Sequence, residues 1–174
     1  MNDELQIVRW GIMGTARIAT RVSRAIHAVA GAEAHVIASR SGEQAASWGA
    51  EHDIPESTEG YQALLENDQL DAIYIPLPPS MHHEWTIKAA EHGKHVLCEK
   101  PIAMNASQAE EMAAACRENN VQLMDSTMWV HSPRARDMKR VIESGQLGEL
   151  SRVTSAFTIM LEPIEDELRY DRQR

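Results

Sequence analysis

Short runs of β-branched and other apolar residues alternate along this chain with longer, alanine-rich stretches whose apolar positions recur at helical spacing. This pattern is typical of βαβ units, and it predicts an α/β fold with a doubly wound, mostly parallel sheet. The predicted strands are 6–11, 35–39, 72–76, 95–98 and 121–125. The predicted helices are about 15–29, 42–52, 60–66, 80–92, 107–119 and 133–143.

The pattern changes after Gly148 to strict alternation of apolar and polar residues, which predicts a half-buried strand over 150–161. Its apolar side chains are Val153, Phe157, Ile159 and Leu161. A single strand of this kind leaves an apolar face and two edges uncovered. We therefore expect this segment to pair with another chain in a homo-oligomer or to be poorly ordered.

Composition narrows the class of protein. The 174 residues are 43% apolar and 25% charged, which is typical of one globular domain with a short extension. The formal charge of −9 disfavours nucleic-acid binding. Because the sequence has no run of 18 apolar residues and an acidic N-terminus, we expect no membrane span, no signal peptide and a cytoplasmic location.

The cysteines and histidines do not predict a metal site. Cys98 and Cys116 form neither a disulfide framework nor a zinc pattern, and we expect buried, inert thiols. His82, His83 and Glu84 are consecutive on a predicted helix, so their side chains diverge and cannot jointly chelate a metal ion.

The first predicted strand runs into a turn of small residues and then a helix, where a Rossmann-type fold binds a dinucleotide pyrophosphate on backbone N–H groups. The candidate cofactor-binding residues here are Gly11, Gly14, Thr15, Ala16, Arg17 and Ile18. In the register of the glycine fingerprint the segment reads Gly14-x-Ala16-x-x-Ala19, with alanine in two of the three glycine positions. Small residues at such a turn also serve plain packing, but the position inside a βαβ run favours a cofactor site.

In NAD-binding folds an acid about 20 residues after the glycine turn binds the ribose. The second predicted strand has no such acid at its end. Ser39, Arg40 and Ser41 stand there, and no acid lies between Glu33 and Glu43. Hydroxyl and guanidinium groups suit a 2′-phosphate, so the sequence predicts NADP as the cofactor rather than NAD. An ordinary exposed arginine after a strand is the alternative interpretation of Arg40.

Two further segments follow strands at the same edge of the predicted sheet, where open α/β sheets bind ligands. One contains Pro76, Leu77 and Pro78, with His82 on the helix that follows. The other contains Glu99, Lys100 and Pro101.

At these motifs the sequence resembles the Gfo/Idh/MocA family of glucose–fructose oxidoreductase, inositol dehydrogenase and rhizopine catabolism proteins. The likeness covers about residues 5–161 and is carried by 11–19, 74–78 with 80–82, 99–101, and 128–134 followed by 145–148. It implies an NAD(P)-dependent oxidoreductase that transfers hydride between the nicotinamide and a hydroxyl of a sugar, a polyol or a related small molecule.

The resemblance implies that Lys100 contacts substrate and nicotinamide and is the catalytic residue. It aligns Pro101 with a proline that often follows a cis peptide, and His82 with a histidine of the nicotinamide-side loop. A lysine beside a cationic nicotinamide loses proton affinity through like-charge repulsion and desolvation, which suits it to orient or deprotonate a sugar hydroxyl. A surface ion pair between Lys100 and Glu99 is the alternative interpretation.

Enzymes of this family continue into a second, largely antiparallel domain that carries an Asp-x-x-x-His pair, and this sequence ends before any such pair. We therefore expect an NADP-binding domain over 1–127, and a connecting helix with the start of a truncated substrate or oligomerisation domain over 128–174. Such a chain alone is expected to have little or no activity. The alternative is a nucleotide-binding module without turnover, serving as a sensor or partner subunit.

Overall fold

The structure, a computed structural model, describes residues 7–158. Its elements in chain order are β1 (Val8–Met13), α1 (Arg17–His27), β2 (Ala32–Ser39), α2 (Gly42–Glu51), β3 (Glu56–Glu59), α3 (Tyr61–Leu65), β4 (Ala72–Ile75), α4 (Pro79–Glu91), β5 (His95–Cys98), α5 (Ala106–Glu118), β6 (Leu123–Asp125), a short 3-10 helix (Met128–His131) and α6 (Pro133–Glu143). The described chain divides into two compact units, one ending at Val130 and the other beginning at His131.

Six strands of the first unit form one sheet in the order β3-β2-β1-β4-β5-β6, and every recorded pairing is parallel. This is the strand order of the Rossmann fold, so the predicted doubly wound α/β class is confirmed. The order reverses between β1 and β4. Open α/β sheets bind ligands in the crevice at the carboxyl ends of the two strands that flank such a reversal.

Helices cover both faces of the sheet, which explains why the central strands are almost continuously apolar. One face packs against α1 and α2 through a core that includes Ile12, Ile26, Ile37, Ile54 and Tyr74. The other face packs against α3, α4 and α5 through a core that includes Met13, Leu64, Ile73, Ala89 and Met112. All four residues of β4 are buried, as a strand between two helical layers requires.

The strand β3 is absent from the sequence prediction. It has no apolar residue between Glu56 and Glu59, so it shows neither an apolar run nor apolar alternation. The strand forms because its backbone pairs with the β2 segment that runs from Val36 to Ser39. Acidic residues on such an edge strand discourage pairing with a further strand.

Several strand boundaries also differ from the prediction by one to three residues, and the differences at the end of β1 and the start of β2 are the most informative. β1 runs on to Met13, two residues beyond the predicted end, and β2 begins at Ala32 rather than residue 35. Pairing between the two strands starts at Val8 and Ala32. The β2 extension contains the charged Glu33, which the hydrophobic pattern alone does not assign to a strand, whereas β1 continues through the buried Ile12 and Met13 because both pair with β2.

The second unit contains α6, which has the predicted bounds, and Ser132 caps it by accepting a hydrogen bond from the Ala135 N–H at 3.2 Å. The strand predicted over 150–161 is wrong for residues 150–158, which form no regular secondary structure, and residues 159–161 lie outside the described residues. Val153 is 79% exposed and Phe157 is 88% exposed. A strand requires a hydrogen-bonded neighbour, and amphipathic alternation alone does not supply one. Pairing of this segment with another chain stays a prediction.

Both cysteines are free and buried, as expected. Burial raises the pKa of the Cys98 thiol to about 12 and also raises the pKa of Cys116. Within residues 7–158 no three His, Cys, Asp or Glu side chains are grouped so as to hold a metal ion. The helices of this part of the chain are all too short or too polar to cross a bilayer.

Candidate functional site

The turn after β1 depends on a glycine. Gly14 adopts a φ of +98°, a conformation that side chains disfavour, and its N–H donates to the Ala38 carbonyl at 2.7 Å. A Cβ at this position would lie 3.1 Å from Leu77 Cδ2 and 3.6 Å from Tyr61 Oη. The backbone turn is therefore closely approached by the loop after β4 and by the start of α3.

The helix that follows this turn has no side-chain cap at its N-terminus. Its N-cap residue is Ala16, whereas the N-caps of α2 and α5 are Ser41 and Asn105, whose side chains accept backbone hydrogen bonds. Thr15, Ala16 and Ile18 are half-buried, and Arg17 is exposed. A helix N-terminus carries partial positive charge on its first N–H groups, so this end of α1 suits an anion.

Gly11 lies inside β1, and its lack of a side chain is explained by packing. A Cβ there would lie 2.8 Å from Leu70 Cδ1, 2.9 Å from Ile73 Cδ1 and 3.1 Å from Leu64 Cδ1. This is the packing role that the sequence left open for the small residues of the motif. Contact between Gly11 and a cofactor stays a prediction.

The last residue of β2 has a buried hydroxyl, and the residue after it is an exposed cation. Ser39 Oγ donates to Gln44 Oε1 at 2.9 Å, and the exposed Arg40 follows it directly. Burial raises the pKa of Tyr61, and the Arg40 charge opposes that rise. Tyr61 therefore lies near both Arg40 and the Gly14 turn.

A carboxylate reaches the start of α2 from the end of β3. Glu59 Oε2 lies 3.1 Å from the position that a Cβ on Gly42 would occupy. The sequence has no acid between Glu33 and Glu43, and Glu59 is not a candidate from the sequence because β3 itself is not predicted. Glu59 therefore belongs in any test of cofactor preference.

One buried side chain contacts both the loop after β4, which contains Pro76, Leu77 and Pro78, and the loop after β5. The connecting residue is His82, which is fully buried. Its Nδ1 lies 2.9 Å from the Pro101 carbonyl oxygen, and its Nε2 lies 2.7 Å from the Leu77 carbonyl oxygen. In this conformation the ring supports two loops of the crevice; its contact with a cofactor stays a prediction.

The loop after β5 places an exposed lysine beside a buried glutamate. Lys100 is exposed, whereas Glu99 is 8% exposed, and the Lys100–Pro101 peptide is cis, as expected. Among residues 7–158, Lys100 forms no salt bridge with Glu99. The Glu99 carboxylate instead accepts hydrogen bonds from the Tyr74 hydroxyl at 2.9 Å and the Ser126 hydroxyl at 2.8 Å.

Sequence reasoning missed three residues of this edge, namely Tyr61, Tyr74 and Ser126. Tyr74 belongs to the 74–78 segment that carries the family resemblance, but the sequence assigns no role to its hydroxyl, although a buried tyrosine hydroxyl signals a hydrogen-bond partner. Ser126 directly follows the predicted last strand, and a polar residue at the carboxyl end of a parallel strand is a candidate site residue. Tyr61 carries no signal in the sequence, because its proximity to Gly14 depends on how α3 packs under the sheet.

These features define a nucleotide-binding α/β domain: a reversal point in a parallel sheet, a glycine turn, an uncapped helix N-terminus and exposed basic side chains at one edge. Residues 8–126 match the model of the Gfo/Idh/MocA oxidoreductase family, described as having an NAD-binding Rossmann fold. The chain therefore belongs to the Gfo/Idh/MocA family.

The chain is similar to two enzymes that act on sugars by name. It is 39% identical over 164 residues to a dTDP-3,4-didehydro-2,6-dideoxy-alpha-D-glucose 3-reductase of Actinomadura kijaniata, covering 94% of this chain and 49% of the relative. It is 38% identical over 164 residues to an NADP-dependent D-xylose 1-dehydrogenase of Haloferax volcanii, covering 93% of this chain and 50% of the relative.

A solved structure shows the same fold. A 3-ketoreductase from Actinomadura kijaniata in complex with TDP-benzene and NADP superposes with a TM-score of 0.76 at 39% identity, over 83% of this chain and 46% of that one. The chain spans about half the length of the relatives it matches.

Proposed function

We propose that this chain binds NADP and forms the cofactor-binding part of an oxidoreductase that acts on a sugar, a polyol or a related hydroxy compound. The observation that carries the proposal is that one edge of the sheet combines the Gly14 turn, the exposed Arg40 and the exposed Lys100. Family membership and the names of the relatives, a reductase of a dTDP-linked sugar and a xylose dehydrogenase, support the same class of substrate.

The residues at this edge fit a dinucleotide phosphate. A side chain at Gly14 would crowd Leu77, and the N-terminus of α1 has no side-chain acceptor, so the first N–H groups of α1 suit a pyrophosphate. Arg40 would hold a 2′-phosphate through charge-assisted hydrogen bonds. Pro76, Leu77 and Pro78 would line the opposite side of the crevice.

Bound NADP(H) supplies the hydride carrier for the reaction. The part of this chain in the chemistry is Lys100, which extends into solvent at the carboxyl end of β5. Its ammonium group would hold a proton at Nζ and orient the substrate oxygen that gains or loses that proton.

The test is a titration of the chain with NADPH and with NADH at low salt, followed by energy transfer to the dihydronicotinamide from Trp10, Trp48, Trp85 and Trp129. We expect Arg40→Ala to raise the Kd for NADPH about tenfold, the worth of one charge-assisted hydrogen bond, and to leave NADH binding unchanged. Arg24→Ala is the matched control, because it removes an exposed charge from the last turn of α1.

Tighter binding of NADH than of NADPH would contradict the cofactor assignment, and Glu59→Gln would then test whether the β3 carboxylate binds the ribose. Turnover is measured separately as consumption of NADPH with aldoses and ketoses present, and as consumption of NADP⁺, seen as a gain of NADPH absorbance, with their polyols present. Consumption that disappears in Lys100→Met supports the oxidoreductase. Saturable binding without consumption supports a nucleotide-binding module.

A further inference from the structure

We infer that Tyr74 and Ser126 are positioning residues for Lys100 and act on it through the carboxylate of Glu99. This inference rests on the proposed function, since it assigns a role within the same site. It also gives Glu99 a role different from the direct cofactor contact expected from the sequence.

Both oxygens of the Glu99 carboxylate are engaged by the protein. Oε1 accepts hydrogen bonds from Tyr74 Oη at 2.9 Å and from Ser126 Oγ at 2.8 Å, and Oε2 accepts from the backbone N–H of Lys100 at 3.1 Å. Together with the near-complete burial of Glu99, this leaves little carboxylate surface for a ligand. The carboxylate instead holds the backbone of the residue that carries the exposed amine.

The donors come from three places in the sheet. Tyr74 lies on β4, Ser126 follows the end of β6, and Lys100 follows β5 between them. Backbone bonds reinforce the arrangement, since Ser126 N–H donates to the Cys98 carbonyl at 2.9 Å and Glu99 N–H donates to the Ile75 carbonyl at 3.1 Å. The three strand ends thus converge on one carboxyl group.

Burying a carboxylate is unfavourable unless hydrogen bonds compensate for its lost hydration. Three donors do so here, and bonds to an ionised acceptor are stronger than neutral ones. Burial, followed by the Glu99 charge, raises the pKa of Tyr74, so its hydroxyl stays a donor throughout the ordinary pH range. An ordinary surface loop does not need a buried carboxylate with three donors. Here that carboxylate belongs to Glu99, the residue directly before Lys100.

A measurement that reports the position of Lys100 separates this role from a purely structural one. An ammonium near the nicotinamide repels the cationic oxidised ring but not the neutral reduced ring. The informative quantity is therefore the Kd for NADP⁺ divided by the Kd for NADPH, which we call the redox-form ratio. We expect Lys100→Met to lower the redox-form ratio about fivefold.

The experiment uses the full 174-residue chain and isothermal titration calorimetry with both nucleotides. We expect Tyr74→Phe and Ser126→Ala each to lower the redox-form ratio about twofold, and the double variant to approach Lys100→Met. In the Lys100→Met background the same substitutions should leave the ratio unchanged. The control is Ser23→Ala, which removes a fully buried hydroxyl that donates within α1, to the Thr20 carbonyl.

The outcomes are distinct. The inference is overturned if Tyr74→Phe and Ser126→Ala weaken binding of both nucleotides by one common factor, because that is the effect of general destabilisation. It is also overturned if they change the ratio equally with and without Lys100, or if Lys100→Met leaves the ratio unchanged. Failure of the unsubstituted chain to bind either nucleotide overturns the proposed function itself. Thermal unfolding of each variant verifies that it is folded.

Discussion

The turn after β1 and the loop after β5 end at the same edge of one sheet, but they are built in opposite ways. The first depends on missing atoms: Gly14 has no side chain where Leu77 approaches, and Ala16 places no oxygen on the N-terminus of α1. The second depends on side chains that are present, since a buried carboxylate gathers two hydroxyls and a backbone N–H. Added atoms should therefore damage the first region, and removed atoms should damage the second.

The largest effect is expected from a carboxylate added to the β1 turn by Ala16→Asp. Aspartate is a favoured N-cap, so the substitution should raise the free energy of unfolding by about 1 kcal/mol. The same carboxylate would occupy and repel the pyrophosphate position, so the Kd for NADPH should rise about a hundredfold. Urea unfolding measures the expected gain in stability, and the NADPH titration measures the expected loss of affinity.

Asn105→Asp is the control for this prediction, because it places a carboxylate at the N-cap of α5, where a side chain already accepts a hydrogen bond from the Gln108 N–H. It should leave the NADPH affinity unchanged. If Ala16→Asp stabilises the chain without weakening NADPH binding, the N-terminus of α1 is not the pyrophosphate site.

A smaller loss is expected from Gly14→Ala, which should raise the Kd for NADPH about tenfold. The added methyl group would lie within 3.1 Å of Leu77 Cδ2 and would enter a backbone conformation that costs an L-residue about 1–2 kcal/mol. Gly93→Ala separates these causes, because Gly93 also has a positive φ, of +71°, but a Cβ there meets no atom within 4 Å. Both variants should lose stability, and only Gly14→Ala should lose affinity; equal NADPH affinities would contradict the prediction.

The same contrast explains what could be predicted from the sequence. The fold class and the Gly14 turn follow from local patterns, because buried parallel strands are continuously apolar and a tight strand-to-helix turn needs a small residue. The Glu99 carboxylate contacts residues 25 and 27 positions away, which lie in or directly after other strands, so no local pattern reports this cluster. The sequence does not reveal β3, because its four residues have no apolar pattern and the strand forms only through backbone pairing with β2. The strand over 150–161 is predicted from its apolar alternation alone, and no neighbouring strand pairs with residues 150–158.

The remaining effect is on stability at alkaline pH, and it arises on the β5 side of the comparison. The Cys98 thiol is fully buried, and burial raises its pKa from the ordinary value of 9.0 to about 12. Between these values the unfolded chain has lost the thiol proton and the folded chain has kept it. The unfolded state then binds fewer protons, so the free energy of unfolding should be flat below pH 8 and fall above pH 9, by at most about 1.4 kcal/mol per pH unit from this group.

Cys98→Ala should remove most of this early decline. What remains begins near pH 9 with Cys116 and near pH 10 with Tyr61 and Tyr74, because their raised pKa values keep these groups protonated in the folded chain after the unfolded chain has lost the proton. Urea unfolding at intervals from pH 7 to pH 11 measures the change in slope, which is independent of any constant loss from the missing sulfur. Cys116→Ala, on α5, removes a thiol whose pKa burial raises without any contribution from a neighbouring charge. Its effect on the slope should be the smaller of the two. A decline with the same onset and slope in Cys98→Ala as in the unsubstituted chain would show that the thiol ionises as freely folded as unfolded, and that the β5 side is more open to water than its packing indicates.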